Sequence, residues 1–269
     1  MKRLMIVAGL VLSACASGGD PSASGGGSEA DATLRGAVSG TLGAEQEALR
    51  ARYLAAITGA RPSEEVARDP FRHPLDMLEF IGLEPGMRIA DVRPEEGYFT
   101  RLFAPVVGPE GRVYAFVPTL TAGREQAFAE GLQAEYGNVT PVIGELDEMS
   151  FPEPLDIVFT AQEYHDFHID RFDTDVAEMN RRVFQALRPG GLYIVLDHSG
   201  RPETGATEVA TLHRIEGAFL RREVEAAGFV FEGETRVLAN PDDAMDVSVF
   251  DESIRGRTDQ FVYRFRRPE

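Results

Sequence analysis

The stretch Met87–Val117 constrains the fold more than any other part of this chain, because it holds two apolar runs separated by a helical pattern. Met87–Val92 is short, apolar and partly β-branched, as buried strands are. Gly97 opens the helical pattern, Gly108–Gly111 ends it, and Arg112–Val117 is the second apolar run. These parts predict a βαβ unit with parallel strands and a right-handed crossover. A ligand of such a sheet binds beyond the carboxyl end of the first strand.

Further apolar runs and helical patterns extend this unit into a larger α/β fold. Strands are also predicted at Val139–Ile143, Leu155–Thr160, Leu192–Leu196, the residues up to Phe231, and Phe261–Phe265. Helices are predicted at Ala44–Ile57, Pro74–Ile81, Thr121–Tyr136, Asp170–Leu187 and Ile215–Ala227. The aromatic residues of Phe261–Phe265 alternate with other residues, which favours an antiparallel edge strand. The order predicts a doubly wound, mostly parallel, seven-stranded sheet with an antiparallel last strand and extra N-terminal helices.

The βαβ unit resembles the opening of the class I S-adenosylmethionine-dependent methyltransferases, in which the first strand ends in D-x-G-x-G-x-G. Asp91 and Gly97 match the first and last positions of that motif. Leu187–Gly191, which reads Leu-Arg-Pro-Gly-Gly before an apolar strand, is also similar to the family. The resemblance covers about Leu75–Arg266 and implies a Rossmann-like methyltransferase fold. It also implies S-adenosylmethionine as the cofactor, held by Asp91, Gly97 and Tyr98.

Three residues depart from the family's cofactor motif. Arg93 and Glu95 stand where the motif has its other two glycines, and Val117 stands where the second strand ends in an acid that holds the ribose. We therefore expect S-adenosylmethionine to bind weakly or not at all. Segments such as Tyr164–Asp166 are similar to exported bacterial proteins identified as predicted methyltransferases, a likeness that implies methyl transfer without naming the acceptor.

Polar chemistry collects where the later strands end. Among the five histidines, His165 and His168 follow the fourth strand, His198 follows the fifth, and His213 precedes the next helix. Loops after parallel strands open on one edge of the sheet, so a shared cleft is expected there. A histidine can take a proton from an acceptor, with a neighbouring aspartate, Asp166 or Asp197, to orient it. The predicted catalytic residues are His165, Asp166, His198 and His213.

A metal site would suit the same residue types, but the sequence assigns no metal ligand. Histidine and aspartate are common ligands, yet no helical His-to-His spacing is present, and ligands would have to converge from separate loops. A long acidic loop, Asn240–Gln260, also starts at the ligand edge, where Arg255 and Arg257 could bind an anion. We expect no metal ion.

The first residues are typical of a lipoprotein signal peptide, taken here as residues 1–14. Lys2-Arg3 precedes the short apolar run Leu4–Leu12, and Leu12–Cys15 matches the bacterial lipoprotein cleavage box. Cys15, the only cysteine, is predicted to carry the lipid. Residues 15–32 are rich in glycine and serine and predict a flexible tether, which leaves residues 33–269 as one methyltransferase-like domain.

Charge limits the partners of such a domain. The net charge of −17 opposes binding to nucleic acid and to anionic lipid heads. We expect a small-molecule substrate, membrane attachment through the lipid alone, and a place on the periplasmic face of a bacterial membrane, the outer membrane by preference.

Three functions remain open from the sequence. The leading hypothesis is a lipid-anchored methyltransferase that uses S-adenosylmethionine and an acceptor the sequence does not name. The first alternative is a binding module that kept the fold without the cofactor. The second is a histidine- and aspartate-dependent or metal-dependent enzyme that uses the same edge of the sheet.

Overall fold

The apolar runs of the sequence form the strands of one sheet. The computed structural model describes the backbone of residues 29–269 and the side chains from residue 43 onward. The strands are β1 (Arg88–Val92), β2 (Arg112–Pro118), β3 (Val139–Gly144), β4 (Leu155–Ala161), β5 (Leu187–His198), β6 (Val230–Thr235) and β7 (Gln260–Arg266). The helices are α1 (Glu29–Thr58), α2 (Ser63–Val66), α3 (Asp69–Arg72), α4 (Pro74–Ile81), α5 (Tyr98–Val107), α6 (Thr119–Tyr136), α7 (Val176–Ala186), α8 (Val209–Leu212) and α9 (Gly217–Ala226). Short 3₁₀ helices cover Leu146–Glu148, Tyr164–His168 and Asp170–Phe172.

The sheet has the predicted architecture. Its seven strands follow the order β3-β2-β1-β4-β5-β7-β6. Strands β1 to β5 pair in parallel, and β7 runs antiparallel to both of its neighbours. The prediction of a doubly wound, mostly parallel sheet with an antiparallel last strand is confirmed. The order reverses between β1 and β4, which is where ligands of such sheets bind.

Both faces of the central strands are covered, which explains why β1, β2, β4 and β5 are largely apolar. One core cluster joins side chains of α4 and α5 to one face of the central strands. The other cluster joins side chains of α7 and α9 to the opposite face. Ile89, Val158 and Ile194 have no exposed surface, so the middle of the sheet is a rigid support for the loops at its edge.

The prediction that the last strand lies at the edge of the sheet is wrong. Strand β7 lies between β5 and β6, and β6 forms the edge. The alternation that suggested an edge has another cause, since the arginines between the aromatic residues also find partners. Arg264 donates to the Phe80 carbonyl at 3.1 Å and forms an ion pair with Glu232 at 3.1 Å. A long charged side chain can therefore cover a sheet face that the alternating pattern predicted to be exposed to solvent.

The boundary between α7 and β5 also differs from prediction. The helix predicted at Asp170–Leu187 begins only at Val176, because Asp173 adopts a left-handed conformation (φ 48°) and Asp175 caps the helix. The cap is a bond from the Glu178 amide to Asp175 Oδ1 at 2.9 Å. Strand β5 starts at Leu187 rather than Leu192, with an irregular register after its first pair.

Residues 46–269 form one compact unit, which contains the sheet and every site residue discussed below. In the other unit the described residues, 29–45, are helical, so the helix includes positions 29–32 of the predicted tether. The signal peptide, Cys15 and the rest of the tether lie outside the described residues. Among the described helices, none combines the length and the apolar character that crossing a bilayer requires.

Candidate functional site

A cleft of about 700 Å³ opens at the carboxyl ends of β1, β4 and β5. The 3₁₀ helix after β4 places His165 and Asp166 there, and β5 ends at His198. His213 reaches the cleft from the end of α8. The structure thus brings the four predicted catalytic side chains, which we call the histidine cluster (His165, Asp166, His198 and His213), to one cleft. Their catalytic roles stay predictions.

Asp197 holds His165 in one orientation. Asp197 has no exposed surface, and its Oδ1 lies 2.7 Å from His165 Nδ1. Its Oδ2 accepts from the His165 amide at 2.8 Å, and Oδ1 also accepts from the His198 amide at 2.7 Å. Burial disfavours the charged imidazole, but Asp197 and the bond to Asp166 outweigh burial and raise the pKa of His165 to about 10. One carboxylate therefore fixes the side chain of His165 and two backbone amides.

Asp166 and His213 complete a close contact with His165. His165 Nε2 lies 3.2 Å from Asp166 Oδ1 and 3.3 Å from His213 Nδ1. His213 Nδ1 is 3.0 Å from Asp166 Oδ1. Burial lowers the pKa of His213, although the negative charge of Asp166 acts to raise it. These three atoms are also possible ligands of one metal ion, since they all lie within 4.8 Å of one another.

His198 stands beside this group, with its ring 5.9 Å from that of His165. Its Nδ1 lies 2.7 Å from Thr258 Oγ1. Burial, followed by the charges of His165 and Arg214, lowers the pKa of His198 well below its ordinary value. This environment favours the neutral imidazole of His198 at the cleft. His168, the fourth histidine near the sheet edge, does not line the cleft and instead pairs with Glu223 at 3.0 Å.

A buried ion pair that sequence reasoning missed fastens the acidic loop over the cleft. Arg214 has no exposed surface and holds Asp243 through two bonds of 2.9 and 3.2 Å. Farther along the loop, Phe250 packs its ring 4.8 Å from that of His213. Arg255 also lines the cleft, whereas Arg257 does not. The only sequence signal for the Arg214–Asp243 pair was the position of Arg214 directly after the candidate residue His213.

The β1 loop, residues 93–97, keeps the backbone of a glycine-rich loop with only one glycine, Gly97. Arg93, Glu95 and Gly97 all have positive φ, at 56°, 50° and 93°. Only the last is a glycine, and a Cβ there would lie 2.6 Å from Leu132. Asp91 accepts a hydrogen bond from Thr100 Oγ1 at 2.6 Å. Burial raises the pKa of Asp91 to about 7, although this hydrogen bond acts to lower it.

Arg93 points inward and forms ion pairs with acids from three parts of the chain. Its side chain pairs with Glu163 and, at 3.0 Å, with Asp166, both after β4. Its Nε lies 3.5 Å from Glu125 of α6, and its Nη2 lies 3.9 Å from Glu95. The sequence showed that a glycine was replaced, but not that the guanidinium would cross the space next to the loop.

In this arrangement the residues assigned to S-adenosylmethionine contact other side chains and leave little room between them. The space beside Asp91, Arg93 and Tyr98 is about 20 Å³, enough for one water, whereas ligand pockets span roughly 300–1,000 Å³. Tyr98 donates its hydroxyl to Asp69 at 2.7 Å. Val117, where the family has its ribose-binding acid, is fully buried. Ion pairs and apolar packing therefore occupy the positions that a cofactor would contact.

Proteins similar in sequence to this chain are methyltransferases, although no family model matches it. A ubiquinone/menaquinone biosynthesis C-methyltransferase UbiE of Ectopseudomonas mendocina is 32% identical over 126 residues, which cover 45% of this chain and 46% of that protein. The protein of the same name from Shewanella woodyi is 28% identical over 164 residues, which cover 58% of this chain and 62% of that protein. The chain spans about half the length of the curated relatives it matches.

Solved structures with the same fold are also methyltransferases. A SAM-dependent methyltransferase from Aquifex aeolicus gives a TM-score of 0.53 at 19% identity, with 77% of this chain and 99% of that chain covered. One from Mesorhizobium loti gives 0.51 at 18% identity, with 72% and 97% covered. At such identities the likeness concerns the fold, and membership of the exported subgroup stays a prediction. The chain has the fold of S-adenosylmethionine-dependent methyltransferases of known structure, and over about half its length it is similar in sequence to UbiE C-methyltransferases.

Proposed function

We propose that the protein is an S-adenosylmethionine-dependent methyltransferase that acts on a small molecule in the cleft. The observation that carries this proposal is the left-handed backbone at positions 93, 95 and 97, directly after Asp91. A non-glycine residue in that conformation costs on the order of 1 kcal/mol and persists only where the surrounding structure determines it. The loop thus has the shape that the family's glycines allow. Sequence similarity to C-methyltransferases also supports the proposal.

The histidine cluster supplies the acceptor half of the reaction. Methylation of a hydroxyl or an amine releases a proton, and a neutral histidine at the cleft can take it. His198 suits this role in the tautomer whose Nδ1–H donates to Thr258, because Nε2 then carries the lone pair that takes the proton. Arg171 and Arg255 are exposed at the cleft and favour an acceptor that carries negative charge.

We further propose that the native chain binds S-adenosylmethionine weakly. The cofactor and the Arg93 ion pairs compete for the same space, so binding must first separate buried charges. Calorimetry of the chain with S-adenosylmethionine and S-adenosylhomocysteine tests this, with an expected dissociation constant weaker than about 1 μM. A tighter constant would mean that Arg93 does not obstruct the cofactor. No binding of either compound at millimolar concentration would contradict methyl transfer.

That second outcome would favour another candidate, an enzyme that uses the cleft without S-adenosylmethionine. The specific observation in its favour is the space of about 20 Å³ at the expected cofactor position. In such an enzyme the histidine cluster acts on a substrate by acid–base chemistry alone. The binding-module alternative has no comparable support, because a bare scaffold does not need the His165–Asp197 pair.

We propose that a lipid on Cys15 attaches the protein to the periplasmic face of a bacterial membrane. The support is the sequence Leu12–Cys15 after a short apolar run. A Cys15→Ser variant should appear in the soluble fraction while the parent stays with membranes. If the variant fractionates with membranes as the parent does, another element anchors the chain.

A further inference from the structure

We propose that His165, Asp166 and His213 bind a divalent transition-metal ion, such as Zn²⁺ or Fe²⁺. The inference rests on the geometry of three side-chain atoms and does not depend on methyl transfer. His165 Nε2, Asp166 Oδ1 and His213 Nδ1 form a triangle with sides of 3.2, 3.3 and 3.0 Å. Ligands that each lie 2.0–2.2 Å from one ion are about 2.9–3.5 Å apart. The triangle therefore has the dimensions of one face of a coordination sphere.

The surroundings of His165 match those of a metal-bound histidine. A histidine ligand commonly donates its other ring nitrogen to a carboxylate, which fixes the tautomer and turns the lone pair toward the ion. Asp197 Oδ1 is in that position, 2.7 Å from His165 Nδ1. The fully buried Asp197 is itself held by two backbone amides. His165 Nε2 is thereby directed at Asp166 and His213.

Asp166 is oriented from its other oxygen. Asp166 Oδ2 accepts from Arg93 and Arg171, each at 3.0 Å. Its Oδ1 is then turned toward the two histidines. Two histidines and one carboxylate on one face form a recognised ligand set for Fe²⁺ and Zn²⁺, and this set leaves the remaining positions for water or substrate.

The open side of the triangle faces the cleft. All three residues line the cleft, and the His213 side chain is 19% exposed. An ion there would bind an oxygen of the substrate and lower its pKa, which makes proton loss easier. His198 is not part of the triangle.

The competing explanation of the triangle is a shared proton. The same contacts would satisfy a charged His165 between Asp166 and Asp197, with His213 donating to Asp166. A proton and a metal ion use the same atoms, so metal titration distinguishes the two explanations.

The test uses the full chain with Cys15→Ser, purified without a histidine tag and freed of metal with a chelator. Removal of the lone cysteine excludes a thiolate site. Calorimetry with Zn²⁺ should show one ion per chain with a submicromolar dissociation constant, and Co²⁺ should give the visible absorption of a protein-bound ion. Failure of the parent to bind either ion would overturn the proposal and leave the shared proton.

His213→Asn is the decisive variant. Asparagine tolerates the left-handed backbone of this position (φ 54°), but its shorter side chain does not reach the ion. We expect affinity to fall by more than 100-fold, and Asp197→Asn to lower it about 10–100-fold by disturbing the orientation of His165. His73→Asn is the matched control, because His73 is also left-handed (φ 44°), is exposed and, among the described residues, forms an ion pair with Asp76 alone. Binding by His213→Asn that equals the parent's would contradict the assignment.

If His213→Asn folds poorly, Asp166→Asn tests the same site from another loop. Zn²⁺ should raise the thermal midpoint of the parent and of His73→Asn, and should leave that of either ligand variant unchanged. An equal rise in the parent and in both ligand variants would place the ion elsewhere.

Discussion

The β1 loop and the histidine cluster occupy the same edge of the sheet but use their charges differently. In the β1 loop, Arg93 is surrounded by carboxylates that neutralise it, and the space enclosed between it, Asp91 and Tyr98 is about 20 Å³. In the histidine cluster, Asp197 positions His165 so that ring atoms face a cleft of about 700 Å³. A polar residue at the ligand-binding edge of a sheet can therefore either fill the space of a ligand or be positioned to contact one. Only the partners of each side chain distinguish the two cases.

The largest difference between the two regions should appear in stability. Asp197 alone accepts from the His165 and His198 amides and pairs with the His165 ring. Asp197→Ala should therefore lower the free energy of unfolding by about 3–5 kcal/mol. Glu125→Ala should cost only about 1–2 kcal/mol, because Arg93 keeps Glu163 and Asp166. Urea unfolding measures both. Equal losses would mean that the ion pairs of Arg93 are not redundant.

A slightly smaller effect should come from the protonation of Asp91. Its pKa is about 7 in the folded chain against an ordinary 3.8, so the folded state binds more protons between these values. Stability should therefore fall as pH rises from about 4 to 7, by up to about 4 kcal/mol relative to Asp91→Asn. Unfolding free energies of parent and variant across this range test the expectation. Parallel curves would show that Asp91 is ionised throughout.

Removal of the Arg93 side chain should open the place of the cofactor. Glycine fits the left-handed backbone there, so Arg93→Gly should bind S-adenosylhomocysteine about 10–100-fold more tightly than the parent, as measured by calorimetry. Arg93→Met is the matched control, because it removes the charge and keeps the bulk. If both variants gain affinity equally, charge rather than volume excludes the ligand.

The smallest effect concerns backbone strain in the same loop. Glu95 is left-handed with a half-exposed side chain, so Glu95→Asn should stabilise the chain by up to about 1 kcal/mol. Glu96→Asn, on an exposed neighbour without positive φ, should change stability less. Thermal unfolding of the two variants gives the comparison, and a destabilised Glu95→Asn would indicate that the Glu95–Arg93 contact outweighs the strain.

Features carried by local pattern were predictable from the sequence. The apolar runs located β1 to β4, and the position of His165 and His198 after strands placed both at the cleft. Features that depend on which side chains meet across loops were not. Arg93 and Glu163 are 70 residues apart, and Arg214 and Asp243 are 29 apart, so no local spacing predicts either pair. The place of β7 inside the sheet was missed for the same reason, since strand order is set by pairing between distant segments.

The insertion of β7 between β5 and β6 has a consequence for the order in which the molecule is assembled during synthesis. Strand β6 bonds only to β7 within the sheet, so residues 230–235 are made first and wait for residues 260–266 before they can join it. In the same register Gln260 pairs with His198, and Thr258 bonds to its ring. All the ion-pair partners of the β1 loop have been synthesised once Asp166 is made, whereas His198 lacks its contacts with Thr258 and Gln260 until the much later strand β7 is made.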